Sequence, residues 1–364
     1  MLLNRRIAIR VDSSLSMGSG HVMRCMALAS ELKDRGGEVV FLCRELRGNM
    51  IPYIRELGHK VIVLNKTENG RPFDQAEEHD EWLSVNWASD ARACLKHVRE
   101  FGVDTVIVDS YSLNISWEAE MSEYVENIVS IDDLCRDHHC EMLIDQSLLR
   151  TSREYRDRIP HSSLALCGSH FAILRREFQE NRKMALEKRK TTDSVRTIMI
   201  SLGGADERND TLKVLKHLYD STVMKSVEKV LVILGAQCRN QTVIENYLNS
   251  YSFSFELHVA SREMAKLMCQ TDLAIGAPGV TSIERCCLGL PSLLYCVADN
   301  QKNNADALVR SGAGILCSLD SLVDLERGVC EVSGNYAVYS SAAASLCRGD
   351  GAARVSDMIS TMGC

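Results

Sequence analysis

Short apolar runs rich in β-branched residues recur along the chain, and each is followed by apolar positions at helical spacing. A first series falls at residues 7–12, 39–43, 61–64, 105–109, 128–132 and 142–145. A second falls at 195–202, 230–234, 253–259, 273–275, 292–295 and 314–317. Several are apolar nearly throughout, as in TVIVD at 105–109 and VLVIL at 230–234. Runs without polar alternation fit strands covered on both faces of a parallel sheet. The helical patterns between them make right-handed βαβ units the expected connection. The chain is therefore expected to be α/β, with two doubly wound, Rossmann-like domains.

The two series are separated at 175–193, a charged stretch with little apolar content after Met184 and Leu186. It reads as a helical or extended linker. Each series opens with a strand running into a glycine-rich turn, at 7–20 and 195–204. That is the pattern of two doubly wound domains facing across a cleft. The expected organisation is an N-terminal domain at 1–174 with a catalytic turn, a linker at 175–193, and a nucleotide-binding domain at 194–364. Residues 66–92, rich in Glu, Asp and Asn, read as a solvated insertion. The Ala/Ser-rich end, 341–364, reads as helical.

Composition narrows the classes. A length of 364 residues is better divided between two cores than packed into one. A net charge of −7 disfavours a nucleic-acid surface, while leaving room for a phosphate held by local backbone dipoles. No run reaches the roughly 18–20 apolar residues of a membrane span. The first ten residues lack the apolar core of a signal peptide, so a cytoplasmic protein is expected. The 15 cysteines are odd in number and follow no framework spacing, as buried reduced thiols would. Cys135, His138, His139 and Cys140 match no common zinc spacing and read as a turn between strands.

The segment RVDSSLSMGSGHVMR at 10–24 carries the most chemistry. A strand ends at Asp12; a polar turn follows, then Gly18 and Gly20, then a helix from about His21 to Lys33. Gly36 and Gly37 end the helix. The glycines permit close approach of a ligand, and the helix start offers unpaired N–H groups and partial positive charge. Together they form an anion site. The dinucleotide fingerprint is absent, because its third glycine position falls on Met23, and no G-x-x-x-x-G-K-[ST] Walker loop occurs. His21 stands at the helix start, where a neutral imidazole is favoured over a cation. A neutral imidazole can act as a general base. Asp12 either orients His21, contacts a sugar hydroxyl, or caps its own turn. Arg24, one turn on, is either a phosphate partner or a surface ion pair.

The second series has its own turns. IMISLGGAD at 198–206 runs a strand into Gly203 and Gly204, a backbone approach to phosphate or sugar, or simply a tight turn. AIGAPGVTSIERCCLGLP at 274–291 turns at Gly279, and Thr281 or Ser282 is expected to cap the helix that follows, making a diphosphate site. Glu284 lies in the first turn, where it stabilises the helix or accepts from ribose hydroxyls. Asn300 and Gln301, after the strand ending at Tyr295, either hold sugar hydroxyls or line an exposed loop.

The pattern R-x-D-x-S-x-x-x-G-x-G-H-x-x-R at 10–24 resembles the nucleotide-sugar hydrolases of pseudaminic acid biosynthesis, which act on UDP-2,4-diacetamido-2,4,6-trideoxy-β-L-altropyranose. IDD at 131–133, IDQ at 144–146, CGSHFAILRREF at 167–178, LGGAD at 202–206, TSIER at 281–285 and NQ at 300–301 match in the same order. The resemblance implies a glycosyltransferase-B-like fold, a catalytic histidine at His21 and nucleotide contacts at Pro278 to Glu284. Pro278 departs from the glycine common there. It further implies that His21 deprotonates a water, which attacks C1 of the sugar and releases UDP with inversion.

The site residues expected on this reading are His21 and Asp12 for catalysis. Gly18, Gly20, Arg24, Gly203, Gly204, Gly279, Thr281, Ser282, Glu284, Asn300 and Gln301 are expected to hold substrate. No cofactor and no metal is expected. The expected partner is a UDP-sugar, not nucleic acid or membrane. The oligomeric state is left open and a monomer is compatible. The alternatives are an inverting UDP-sugar glycosyltransferase and a non-catalytic nucleotide-sugar sensor.

Overall fold

The computed structural model describes residues 5–64, 83–250, 253–298 and 301–362. The chain divides into two compact units, Met1–Arg175 with Asp350–Cys364, and Arg176–Gly349. Unit 1 runs β1 (Arg6–Val11), α1 (Gly20–Asp34), β2 (Glu38–Arg44), α2 (Ile51–Glu56), β3 (Lys60–Leu64), α3 (Trp87–Phe101), β4 (Thr105–Asp109), α4 (Ile115–Ser122), β5 (Asn127–Ile131), β6 (Met142–Asp145) and β7 (Leu164–Cys167). Unit 2 runs α5 (Arg176–Thr191), β8 (Thr197–Ser201), α6 (Asp210–Asp220), β9 (Lys229–Leu234), α7 (Gln241–Asn249), β10 (Phe255–Val259), α8 (Met264–Gln270), β11 (Leu273–Gly276), α9 (Thr281–Cys287), β12 (Ser292–Leu294), α10 (Lys302–Arg310), β13 (Gly314–Leu316), α11 (Leu322–Gly334) and α12 (Tyr336–Leu346). The last helix, α13 (Gly351–Thr361), returns to unit 1.

The unit 1 sheet has the order β3-β2-β1-β4-β5-β6-β7, and the unit 2 sheet β10-β9-β8-β11-β12-β13. All of these pairings are parallel. The apolar runs follow from burial on both faces. In β1, Ile7, Ile9 and Val11 pack with residues of α1 and α13, while Ala8 joins the opposite layer with Trp117 and Val98. Each buried Ile or Val side chain removed from water contributes about 1.5–3 kcal/mol. Among the described residues every cysteine is a free thiol, and no helix is long and apolar enough to cross a membrane.

Three expectations need correction. The C-terminal helix α13 packs on α1 of unit 1, through Val355 and Ile359, rather than on the second sheet. The charged stretch at 175–193 is α5, an integral helix of unit 2. It buries Phe178 and Ala185, and its Arg189 guanidinium donates to the carbonyls of Met268 and Thr271. The insertion expected at 66–92 lies outside the described residues up to 82, but its end is only partly solvated: Leu83, Val85, Asp90 and Ala91 are buried while Ser84, Asn86 and Arg92 are exposed. Asn86 caps α3 by accepting from the Ser89 N–H at 2.8 Å, and Asp90 is fully buried. The edge strand β7 has only four residues, LALC, two of them half-buried and one exposed, and its weak pattern predicted nothing.

Candidate active site

A doubly wound sheet binds ligands beyond the carboxyl ends of its strands, where the winding reverses. In unit 1 that point lies between β1 and β4, with Val11 and Asp109 in register. The turn after β1 is closed by the Gly18 N–H donating to the Ser14 carbonyl at 2.9 Å, with Gly18 at φ +75°. Gly20 then opens α1. Ser19 precedes it without a side-chain cap, and no acidic residue occupies the first turn. The first turn of α1 therefore keeps N–H groups that no capping side chain satisfies.

His21 sits in that turn, and its Nδ1 is 2.5 Å from Asp109 Oδ1. So short an approach to a carboxylate requires the proton on Nδ1. Nε2 has no hydrogen-bond partner within the chain among the described residues, and in this tautomer it carries the lone pair. Arg24 forks onto the same carboxylate, Nε to Oδ2 at 2.6 Å and Nη2 to Oδ1 at 2.7 Å, and the Cys25 thiol donates to Oδ2 at 3.4 Å. Arg24 Nη2 also lies 3.1 Å from His21 Nδ1. Two donors cannot bond each other, so its productive bond is to Asp109. Burial opposes ionisation of Asp109, but the Arg24 guanidinium and then His21 outweigh it. They hold the carboxyl well below the usual range.

Tyr111, two residues beyond β4, packs edge-on to the His21 ring, with centroids 4.7 Å apart and planes at 86°. Its hydroxyl donates to Asp133 Oδ1 at 2.5 Å, and Asp133 Oδ2 meets Arg24 Nη1 at 3.4 Å. Burial and then Asp133 push the phenol pKa up, so Tyr111 stays a donor. The imidazole is thus fixed by a carboxylate through Nδ1 and by an aromatic ring at its edge. This is the arrangement of a histidine general base with an orienting acid.

Two sequence expectations change here. Asp12 makes no contact with His21. It is 3% exposed, its Oδ1 accepts from the Arg44 N–H at 2.6 Å, and its Oδ2 lies 2.7 Å from Arg10 Nη2. Asp12 belongs to a buried ion cluster centred on Asp90. Asp90 accepts from Arg10 at 3.0 and 2.7 Å, from Arg44 at 2.8 Å and from the Trp117 indole at 3.1 Å. Arg24, 4% exposed, is neither a surface ion pair nor open to phosphate, because Asp109 and Asp133 occupy its guanidinium. Sequence reading missed Asp109, Tyr111 and Asp133. Each follows or ends an apolar run: TVIVD ends on Asp109 with Tyr111 two residues on, and Asp133 comes directly after IVSID, but only the strand order brings them to the His21 turn.

In unit 2 the winding reverses between β8 and β11, with Ser201 beside Gly276. The turns singled out from sequence both leave this point. Gly203 takes φ +118°, and a Cβ on Gly235, the residue after β9, would come within 2.2 Å of the Gly204 carbonyl, so the turn after β8 packs backbone to backbone against the end of β9. Asp206 closes the first by accepting from the Asp210 and Thr211 N–H groups at 2.8 and 3.2 Å. In the second, Thr281 and Ser282 lie inside α9 rather than capping it. Val280 precedes the helix, and the Ser282 hydroxyl donates back to the Gly279 carbonyl at 2.5 Å. Glu284 is in the first turn of α9, as expected. Gln301 turns its Oε1 to the Val297 N–H at 3.0 Å, which commits the amide oxygen to its own loop. Asn300 lies outside the described residues.

The segment 135–140 forms part of the irregular connection between β5 and β6. His138 meets Glu118 Oε1 at 2.7 Å and Asp132 Oδ2 at 3.4 Å. Among the described residues no group of three or more His, Cys, Asp or Glu is placed to hold a metal ion.

No family model matches the chain. An uncharacterized protein of Methanocaldococcus jannaschii is 28% identical over 83% of this chain, which spans 57% of that relative's length. The UDP-2,4-diacetamido-2,4,6-trideoxy-beta-L-altropyranose hydrolase of Campylobacter jejuni is 22% identical over 84% of this chain and 97% of its own. Among solved structures, MurG of Acinetobacter baumannii matches with TM-score 0.70 at 14% identity, over 98% of this chain and all of that one. These likenesses establish two parallel-sheet, Rossmann-like α/β units of the glycosyltransferase-B kind.

Proposed function

We propose that this protein is a UDP-sugar-processing enzyme that hydrolyses its substrate at the anomeric carbon. The observation that carries the reading is the 2.5 Å contact of His21 Nδ1 with Asp109, which leaves Nε2 as the proton acceptor. In this reading Nε2 takes a proton from water as the water attacks C1 of the sugar. Asp109 stabilises the imidazolium that forms. The C–O bond to UDP breaks with inversion through an oxocarbenium-like transition state. The Gly203-Gly204 turn and the Gly276–Glu284 segment of unit 2 hold the nucleotide, with Glu284 accepting from ribose hydroxyls.

The Campylobacter relative, matched over nearly its whole length, supports a UDP-linked 2,4-diacetamido-2,4,6-trideoxy sugar as substrate. The motif resemblance at 10–24 extends this reading to a role in pseudaminic acid biosynthesis. The test is NMR product analysis with that UDP-sugar and with UDP-N-acetylglucosamine, without any acceptor. Free sugar and UDP, with the anomer inverted, are expected from the first. Turnover only after addition of a sugar or lipid acceptor would make the protein a transferase instead.

A further inference from the structure

We propose that Arg285 is the charged positioning residue of the unit 2 nucleotide turn, a buried guanidinium whose charge is offset by the diphosphate of a bound nucleotide. The inference rests on the nucleotide reading above and adds a residue to it. Arg285 lies near the end of α9 and is 2% exposed. Its side chain folds back beneath the end of β11. Nη2 donates to the Ala277 carbonyl at 2.7 Å, and Nη1 lies so close under Gly276 that an added Cβ would approach it to 2.2 Å. Nε has no hydrogen-bond partner. The guanidinium is therefore packed against the backbone at the point where the unit 2 sheet reverses its winding.

Among the described residues no carboxylate forms an ion pair with it, and the adjacent Glu284 acts on it only through space. The other deeply buried arginines differ. Arg10, Arg24 and Arg44 each fork or pair onto aspartates, and Arg189 donates to two carbonyls at the end of α8, where a helix carries partial negative charge. Burial draws the Arg285 pKa down to about 10, which still leaves a cation at neutral pH. A buried cation without an ionic partner costs several kcal/mol. An anion bound on the turn above it offsets that cost and gains from the low local dielectric.

Two readings of Arg285 separate experimentally. If it only braces the Ala277 carbonyl, replacing it disturbs every ligand of the turn alike. If its charge serves the diphosphate, replacing it weakens UDP and spares uridine. UDP and uridine are titrated calorimetrically into the wild-type full chain, Arg285→Met and Arg285→Lys. Arg285→Met is expected to weaken UDP about tenfold or more, equivalent to about 1.4 kcal/mol. Uridine should stay within twofold, and Arg285→Lys should recover most of the loss. KM for the UDP-sugar should rise with kcat little changed. Should Arg285→Met fail to fold, Arg285→Gln, which keeps an N–H for Ala277, carries the same comparison. An unchanged UDP-to-uridine ratio in a folded neutral variant overturns the proposal. Wild-type protein that binds no UDP overturns the nucleotide reading, and this inference with it.

Discussion

The two sheets reverse their winding at equivalent points, yet what stands there differs. In unit 1 the point is crowded with charge. Asp109, Arg24 and Asp133 saturate one another, and one imidazole nitrogen is left without a partner among the described residues. In unit 2 it is built from glycine turns and helix backbone, with a buried arginine that no carboxylate among the described residues pairs with. The first arrangement fixes a proton acceptor to within one tautomer. The second leaves backbone and positive charge for an anion. On the proposed reading one topology supports two tasks, and side chains at a handful of strand ends decide which.

The sharpest way to break this comparison is to ask whether the two points control different kinetic quantities. His21→Ala should lower kcat by roughly 10²–10⁴-fold with KM little changed, read from steady-state rates on the UDP-sugar. A change confined to KM would move His21 into the binding group. Asp90→Ala should cost about 3–5 kcal/mol in urea-unfolding stability, because it leaves Arg10 and Arg44 buried without their shared carboxylate. A loss under 1 kcal/mol would show the cluster to be far less tightly coupled than its distances imply.

A third, smaller effect concerns His138, between Glu118 and Asp132. Burial opposes its protonation, but the Asp132 and Glu118 carboxylates win and raise its pKa to about 9. An unfolded histidine titrates near 6.5. The stabilisation is therefore complete below about pH 6.5 and is lost as pH rises through about 9. Thermal unfolding of the wild type should weaken across that window, and His138→Gln should flatten the dependence. The smallest effect is expected from Glu284→Ala, a rise in KM of up to about tenfold with kcat preserved, as for one lost hydrogen bond. A fall in kcat instead would blur the division of labour between the units.

Most of the architecture was legible because strands buried on both faces leave long apolar runs, and twelve such runs were read directly. His21 was legible for a local reason: it follows two glycines at a helix start. Its partner was not, because Asp109 lies 88 residues away and only the β1–β4 pairing brings them together. Asp12 was nearer in sequence and drew the role instead. The same non-local logic hid Asp90, an acid in a polar stretch that reaches the core only because α3 lies on the sheet. The placement of α13 was equally illegible, since an amphipathic helix does not say which sheet it covers.

The tautomer of His21 tests the central claim most directly, and it needs no substrate. Imidazole ¹⁵N shifts of histidine-labelled protein, with His21 assigned by comparison with His21→Gln, report which ring nitrogen carries the proton. The account predicts a protonated Nδ1 and a bare Nε2 in the neutral ring. A proton found on Nε2, with Nδ1 bare, would contradict it.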